Sequence, residues 1–145
     1  MYPWISWRWR VDQFVEGENL RRKNGSDASA RVYVYFETSG LPWQKRNIDY
    51  VWSRTLPTDT ILTSAFSPTS KIVVVESGTE HQGTWRSARR NLEEDYRRCF
   101  NTADLPAVTA IGLMTDADNT HAEALAYFDD IAISRTPPAA EAGSP

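Results

Sequence analysis

Ile5-Ser6-Trp7-Arg8-Trp9-Arg10-Val11 alternates apolar and polar side chains without a break. Successive side chains of a strand point to opposite faces. Ile5, Trp7, Trp9 and Val11 therefore share one face, and Ser6, Arg8, Arg10 and Asp12 share the other. Arg31-Val32-Tyr33-Val34-Tyr35-Phe36 repeats the pattern, with Val32, Val34 and Phe36 opposite Arg31, Tyr33 and Tyr35. Two strands of this kind predict a sheet with an apolar side and an arginine–tyrosine side.

Further strands follow from shorter signals. Lys71-Ile72-Val73-Val74-Val75-Glu76 is a continuous β-branched run, which predicts a strand buried on both faces. Tyr50-Val51-Trp52 reads as a short strand, and Ile61-Leu62 as another between Pro57 and Pro68. Ala107–Met114 and Leu125–Ser134 complete the set. Trp85, Ala88, Leu92, Tyr96, Cys99 and Phe100 recur at intervals of three or four, so one amphipathic helix is expected over about 85–100. Thr84 or Ser87 suits its N-cap and Asn101 the left-handed position after its end. Glu93–Arg97 and Glu94–Arg98 are spaced as favourable i,i+4 pairs. About six strands and one helix make the fold mainly β, a jelly-roll-like β-sandwich. Residues 1–135 read as its single domain, and 136–145, rich in Pro and Ala, as a disordered tail.

At 145 residues the chain can bury a core without staples. Its net charge of −3 argues against a general nucleic-acid binder, which needs a basic field. Single-strand binding through arginines and aromatics is the form of that function which the charge leaves open. The six tryptophans fit strands and also suit stacking surfaces. Cys99 is the lone cysteine, which excludes an intrachain disulfide and a cysteine-based metal cage. It reads as a small buried apolar group. No run approaches the length of a membrane span, and Met1-Tyr2-Pro3-Trp4 lacks the basic and apolar regions of a signal peptide.

Asp116, Asp118 and Asn119 carry hard oxygen ligands suited to Ca²⁺. They do not make an EF-hand, because His121 and Tyr127 stand where glycine and the bidentate glutamate belong. The segment reads as a turn whose acids satisfy backbone donors, so no metal or other cofactor is expected. Asp129 and Asp130 interrupt an apolar alternation, which predicts that at least one meets an arginine or a metal or sits at a bulge, and favours a buried or semi-buried salt bridge to Arg8 or Arg10. Asn91 and Asp95 lie beside the helical stripe and suit a structural polar network. Glu93 and Glu94 belong to a solvated face, since paired acid–base carboxylates need to stand across a cleft. Phosphate loops, metalloprotease helices and serine elbows are absent from the sequence.

Six pieces, in order and spacing, carry a resemblance. They are Trp7-Arg8-Trp9-Arg10-Val11, Ala30-Arg31-Val32-Tyr33-Val34, Tyr50-Val51-Trp52, Arg89-Arg90-Asn91-Leu92 with Asp95-Tyr96, Met114 to Thr120, and Ala126-Tyr127-Phe128-Asp129-Asp130-Ile131. From about Ile5 to Ser134 the chain resembles the bacterial family known as domain of unknown function 3047. That resemblance implies a β fold and no mechanism. It also implies a periplasmic or exported home, and further β-structure ahead of the Trp-Arg strand. Its strand-then-Asp-Ile ending looks like that of carbohydrate-binding jelly rolls. A chain lacking the preceding segment is expected to self-associate through an open sheet edge.

The leading expectation is a non-enzymatic module binding a glycan or anionic small molecule on a face formed by Arg8, Arg10, Arg31, Tyr33 and Tyr35. A polysaccharide lyase or hydrolase using that face is the enzymatic alternative. A purely structural domain, its arginines consumed by Asp95, Asp129 and Asp130, is the third.

Overall fold

The computed structural model describes residues 3–22, 28–37, 45–102, 105–115 and 124–138. Among these residues eight strands and one helix follow in the order β1 (Trp4–Gln13), β2 (Ala30–Phe36), β3 (Asn47–Ser53), β4 (Ile61–Thr63), β5 (Ser70–Ser77), β6 (Arg86–Asn91), α1 (Leu92–Phe100), β7 (Val108–Met114) and β8 (Leu125–Ser134). They form a small sheet of order β6-β1-β8 and a large one of order β4-β5-β3-β2-β7. Neighbours are antiparallel except β3 and β5, which run parallel. The likeness to a jelly roll therefore does not extend to strand direction.

Alternation sets the inner faces. Ile5, Trp7, Trp9 and Val11 of β1 are buried against Val32, Val34 and Phe36 of β2 and Ile48, Tyr50 and Trp52 of β3. The two sheets meet through rings: Trp7 packs on Tyr50 at 5.4 Å and Trp9 on Trp52 at 5.9 Å between centroids. Trp52 donates its Nε1–H to the Gly78 carbonyl at 3.0 Å, whereas the buried Nε1–H groups of Trp7 and Trp9 meet no acceptor among the described residues. β5 is buried on both sides, as its β-branched run predicts. Val73 and Val75 face the central core, and Ile72 and Val74 form a second cluster with Leu20, Ala28, Val51 and Leu62.

That second cluster lies under the segment after β1, which is pinned by Glu18. The nearly buried carboxylate accepts from Ser53 Oγ at 2.6 Å, Arg54 N at 3.1 Å, and Thr55 Oγ1 at 3.1 Å. Hydrogen bonds to an ionised acceptor are the strong ones, so one side chain holds this cover in place.

The helix is shorter than its apolar stripe. Arg86–Asn91, expected to be helical, is strand β6, paired with β1 from Trp4↔Asn91 to Trp9↔Arg86. β6 turns Arg86, Ala88 and Arg90 inward, so Ala88 meets the core in either conformation and the spacing alone could not separate them. Asn91, not Thr84 or Ser87, is the N-cap: its Oδ1 accepts from Glu94 N at 3.1 Å. Asn101 takes the left-handed position at φ 53°, and its N–H reaches the Arg97 carbonyl at 2.9 Å. Leu92 and Tyr96 are buried, and Tyr96 stands edge-on to Phe36 at 4.8 Å. Glu93–Arg97 is an ion pair at 3.6 Å, whereas Glu94–Arg98 is not. Of the expected tail, residues 136–138 are described, and Pro138 O accepts from Arg89 Nη1 at 2.7 Å.

Candidate functional site

β1 and β2 lie in different sheets, so the arginine–tyrosine face expected from their alternation is divided in two. Their apolar sides face each other across the core. Arg8 and Arg10 consequently stand outside the small sheet, and Arg31, Tyr33 and Tyr35 outside the large one. Alternation tells which residues share a strand face, but not which sheet that strand joins.

On the small sheet, Arg10 pairs across to Tyr127 of β8, and Arg8 lies between Ser87 of β6 and Asp129 of β8. The Arg10 guanidinium sits 4.5 Å from the Tyr127 ring centroid and 5.6 Å from that of Trp85; Arg8 sits 5.2 Å from the same Trp85 ring. Tyr127, Arg10, Trp85 and Arg8 thus form a row of alternating rings and cations. Asp12 fixes Arg10 with two bonds, 2.8 Å to Nε and 2.9 Å to Nη2, and these hold the guanidinium charged. Both arginine side chains remain about a third exposed, at 32% and 29%. The spacing of Trp85 predicts a place on the apolar stripe of the helix, which it does not take. Its true place, just ahead of a strand edge, carries no signal in the spacing.

Asp130 reaches Arg8 at 3.7 Å, but its side chain is 62% exposed, so the pairing is looser than the semi-buried bridge expected. The bulge is real: Asp130 has φ 53° and, with Ile131, opposes Trp7 where the β1–β8 register shifts. Asp129 Oδ1 accepts from the Asp130 N–H at 2.8 Å, a local bond that supports the kink.

On the large sheet Arg31 and Asp49 are both buried and 3.4 Å apart. Asn47 Nδ2 adds a 2.6 Å bond to Asp49 Oδ1. Burial nevertheless dominates and pushes the Asp49 carboxyl up to about 6. Tyr33 and Tyr35 stack beside them at 6.0 Å, and Tyr33 Oη reaches Met114 Sδ at 3.2 Å. Burial, then the Asp49 charge, raises the Tyr35 phenol.

Asn91 and Asp95 both stand at the helix start but with separate partners, Asn91 Oδ1 accepting from Glu94 N, so the expected network joins neither to the other nor to Asp129 and Asp130. Asp95 is buried and accepts from Arg90 Nε at 2.9 Å, Arg90 Nη2 at 2.7 Å and Tyr50 Oη at 2.7 Å. Cys99 lies close by, its thiol pushed up to about 11 by burial and then by Asp95, so it stays neutral in the core cluster. Among the described residues no group of three or more His, Cys, Asp or Glu is placed to hold a metal. Asp116, Asp118 and Asn119 lie outside the described residues. No helix among the described residues is long and apolar enough to cross a membrane.

A family model described as Protein of unknown function (DUF3047) matches residues 1–132. The chain belongs to the DUF3047 family. Neither a curated protein nor a solved structure matches it. Membership of DUF3047 carries no assigned activity, so any chemistry has to be argued from the residues themselves.

Proposed function

We propose that this DUF3047 domain is a non-enzymatic binding module whose ligand surface is the outer face of the small sheet around Arg8 and Arg10. The observation that carries the reading is the Tyr127–Arg10–Trp85–Arg8 row, in which two arginine side chains, each about a third exposed, lay their guanidinium groups against ring faces. A guanidinium held on a ring and by Asp12 is already ordered, so little side-chain entropy is lost when it binds. Its remaining N–H groups suit a carboxylate or vicinal hydroxyls, and the rings offer stacking faces. A carbohydrate-like or anionic ligand fits both. The Arg31, Tyr33 and Tyr35 half of the expected surface supports this less well, because Arg31 is buried against Asp49.

A glycan and metabolite array on the purified chain tests the proposal, repeated with Arg10→Ala and Tyr127→Ala. Anionic or sugar hits lost in both variants support it. An array without hits, or hits that survive both substitutions, overturns it. Lyase or hydrolase chemistry is the second reading, favoured by a carboxyl titrating near 6 at Asp49 beside Tyr35. Turnover of an array hit that Asp49→Asn abolishes would select it. Self-association is supported by the exposed Leu113 and Met114 of β7 and Leu125 and Ile131 of β8, the outermost strands of their sheets. Light scattering of a concentrated sample reads that out.

A further inference from the structure

Where β6 runs into α1, a cleft of about 340 Å³ opens between Trp4, Asp59 and the first turns of the helix. Its size is at the lower end of the ~300–1,000 Å³ typical of small-molecule sites. Arg90 and Asp95 form one wall, but the bonds of 2.7 and 2.9 Å between them cancel their charges. The other charged groups are not cancelled in this way. Glu94 and Arg98 line the cleft one helical turn apart without forming the ion pair their spacing permits. Arg89 also lines it and spends one N–H on a neutral carbonyl, Pro138 O. Asp59 is held by Arg90 at 3.4 Å, with its side chain 62% exposed.

We propose that this cleft is a site for a small zwitterion, an amino acid or dipeptide, seated against Trp4. Its carboxylate pairs with Arg98 and Arg89, and its ammonium with Glu94 and Asp59. The charge balance is the reason. A simple anion entering the cleft meets two exposed carboxylates, and a simple cation meets two exposed guanidinium groups. A ligand carrying both charges satisfies lining groups of both signs. The Trp4 ring supplies an apolar face for a side chain and a cation–π contact for the ammonium. The wall itself is rigid, since Asp95 is tied to Tyr50 as well as to Arg90.

The test uses alanyl-phenylalanine, its N-acetyl derivative and its C-terminal amide, titrated into the full chain and followed by NMR shifts. The free dipeptide is expected to saturate, and each capped derivative to bind at least tenfold more weakly. Arg98→Gln should erase the difference between the free and amidated forms, and Glu94→Gln that between the free and acetylated forms. Both residues are exposed, so neither substitution threatens the fold. The absence of saturable binding by the free dipeptide overturns the proposal. So does an acetylated form that binds as tightly as the free one, which would mark an anion site instead.

Discussion

Tyr50 donates a 2.7 Å hydrogen bond to Asp95, so a buried phenol at the centre of the large sheet is tied to a buried carboxylate on the helix. The same carboxylate neutralises Arg90 on β6 of the small sheet. Three elements from both layers therefore converge on one acid. Burial and the Asp95 charge hold the Tyr50 phenol well above its ordinary range, so it remains a donor at any physiological pH.

Tyr50→Phe removes one bond and leaves the ion pair, which should cost about 1–3 kcal/mol. Asp95→Ala leaves Arg90 with only the exposed Asp59 at 3.4 Å and the buried Tyr50 hydroxyl without its acceptor, and should cost more, roughly 3–5 kcal/mol. Urea unfolding of the two variants checks the order. Equal losses would show that the acid does not organise the cluster.

Asp49 gives a pH dependence of definite sign. Burial raises its carboxyl from the usual 3.8 to about 6, outweighing Arg31 and Asn47. Folding thus favours the protonated form. The stability this contributes is complete below the unfolded value and is lost as pH rises through the folded one. Between these two values, the melting temperature of the parent should fall relative to that of Asp49→Asn. Parallel melting curves across that window would contradict the assignment.

Leu92 is fully buried in the first turn of the helix. Leu92→Ala should lower stability by roughly 2–5 kcal/mol, read from urea unfolding. Asn101→Gly should be tolerated, because φ 53° already lies in the region that glycine enters freely.

The strands were legible in the sequence where side chains alternate or β-branched residues run together, as in β1, β2 and β5. β6 was not, and Arg90 shows why. An inward arginine looks like a solvent residue until Asp95 and Tyr50, 5 and 40 positions away, are brought to it. Trp85, Ala88 and Leu92 fit a helical period by coincidence, since the chain turns from strand to helix within that spacing. The candidate surface was half legible. Its residue types could be read, as could the sharing of strand faces. The assignment of β1 and β2 to opposite layers depends on long-range pairing that period-two patterning does not encode.

Glu18 behaves as a ligand that the chain carries for itself. The donors at Ser53, Arg54 and Thr55 make a small carboxylate receptor, and its occupant is tethered 35 to 37 residues away. Because this carboxylate belongs to the chain itself, it meets its donors at an effective concentration set by the intervening chain rather than by solution. A free carboxylate displaces Glu18 only when its concentration exceeds that local value. Whatever binds elsewhere on the domain, these three donors are already filled by the chain's own carboxylate.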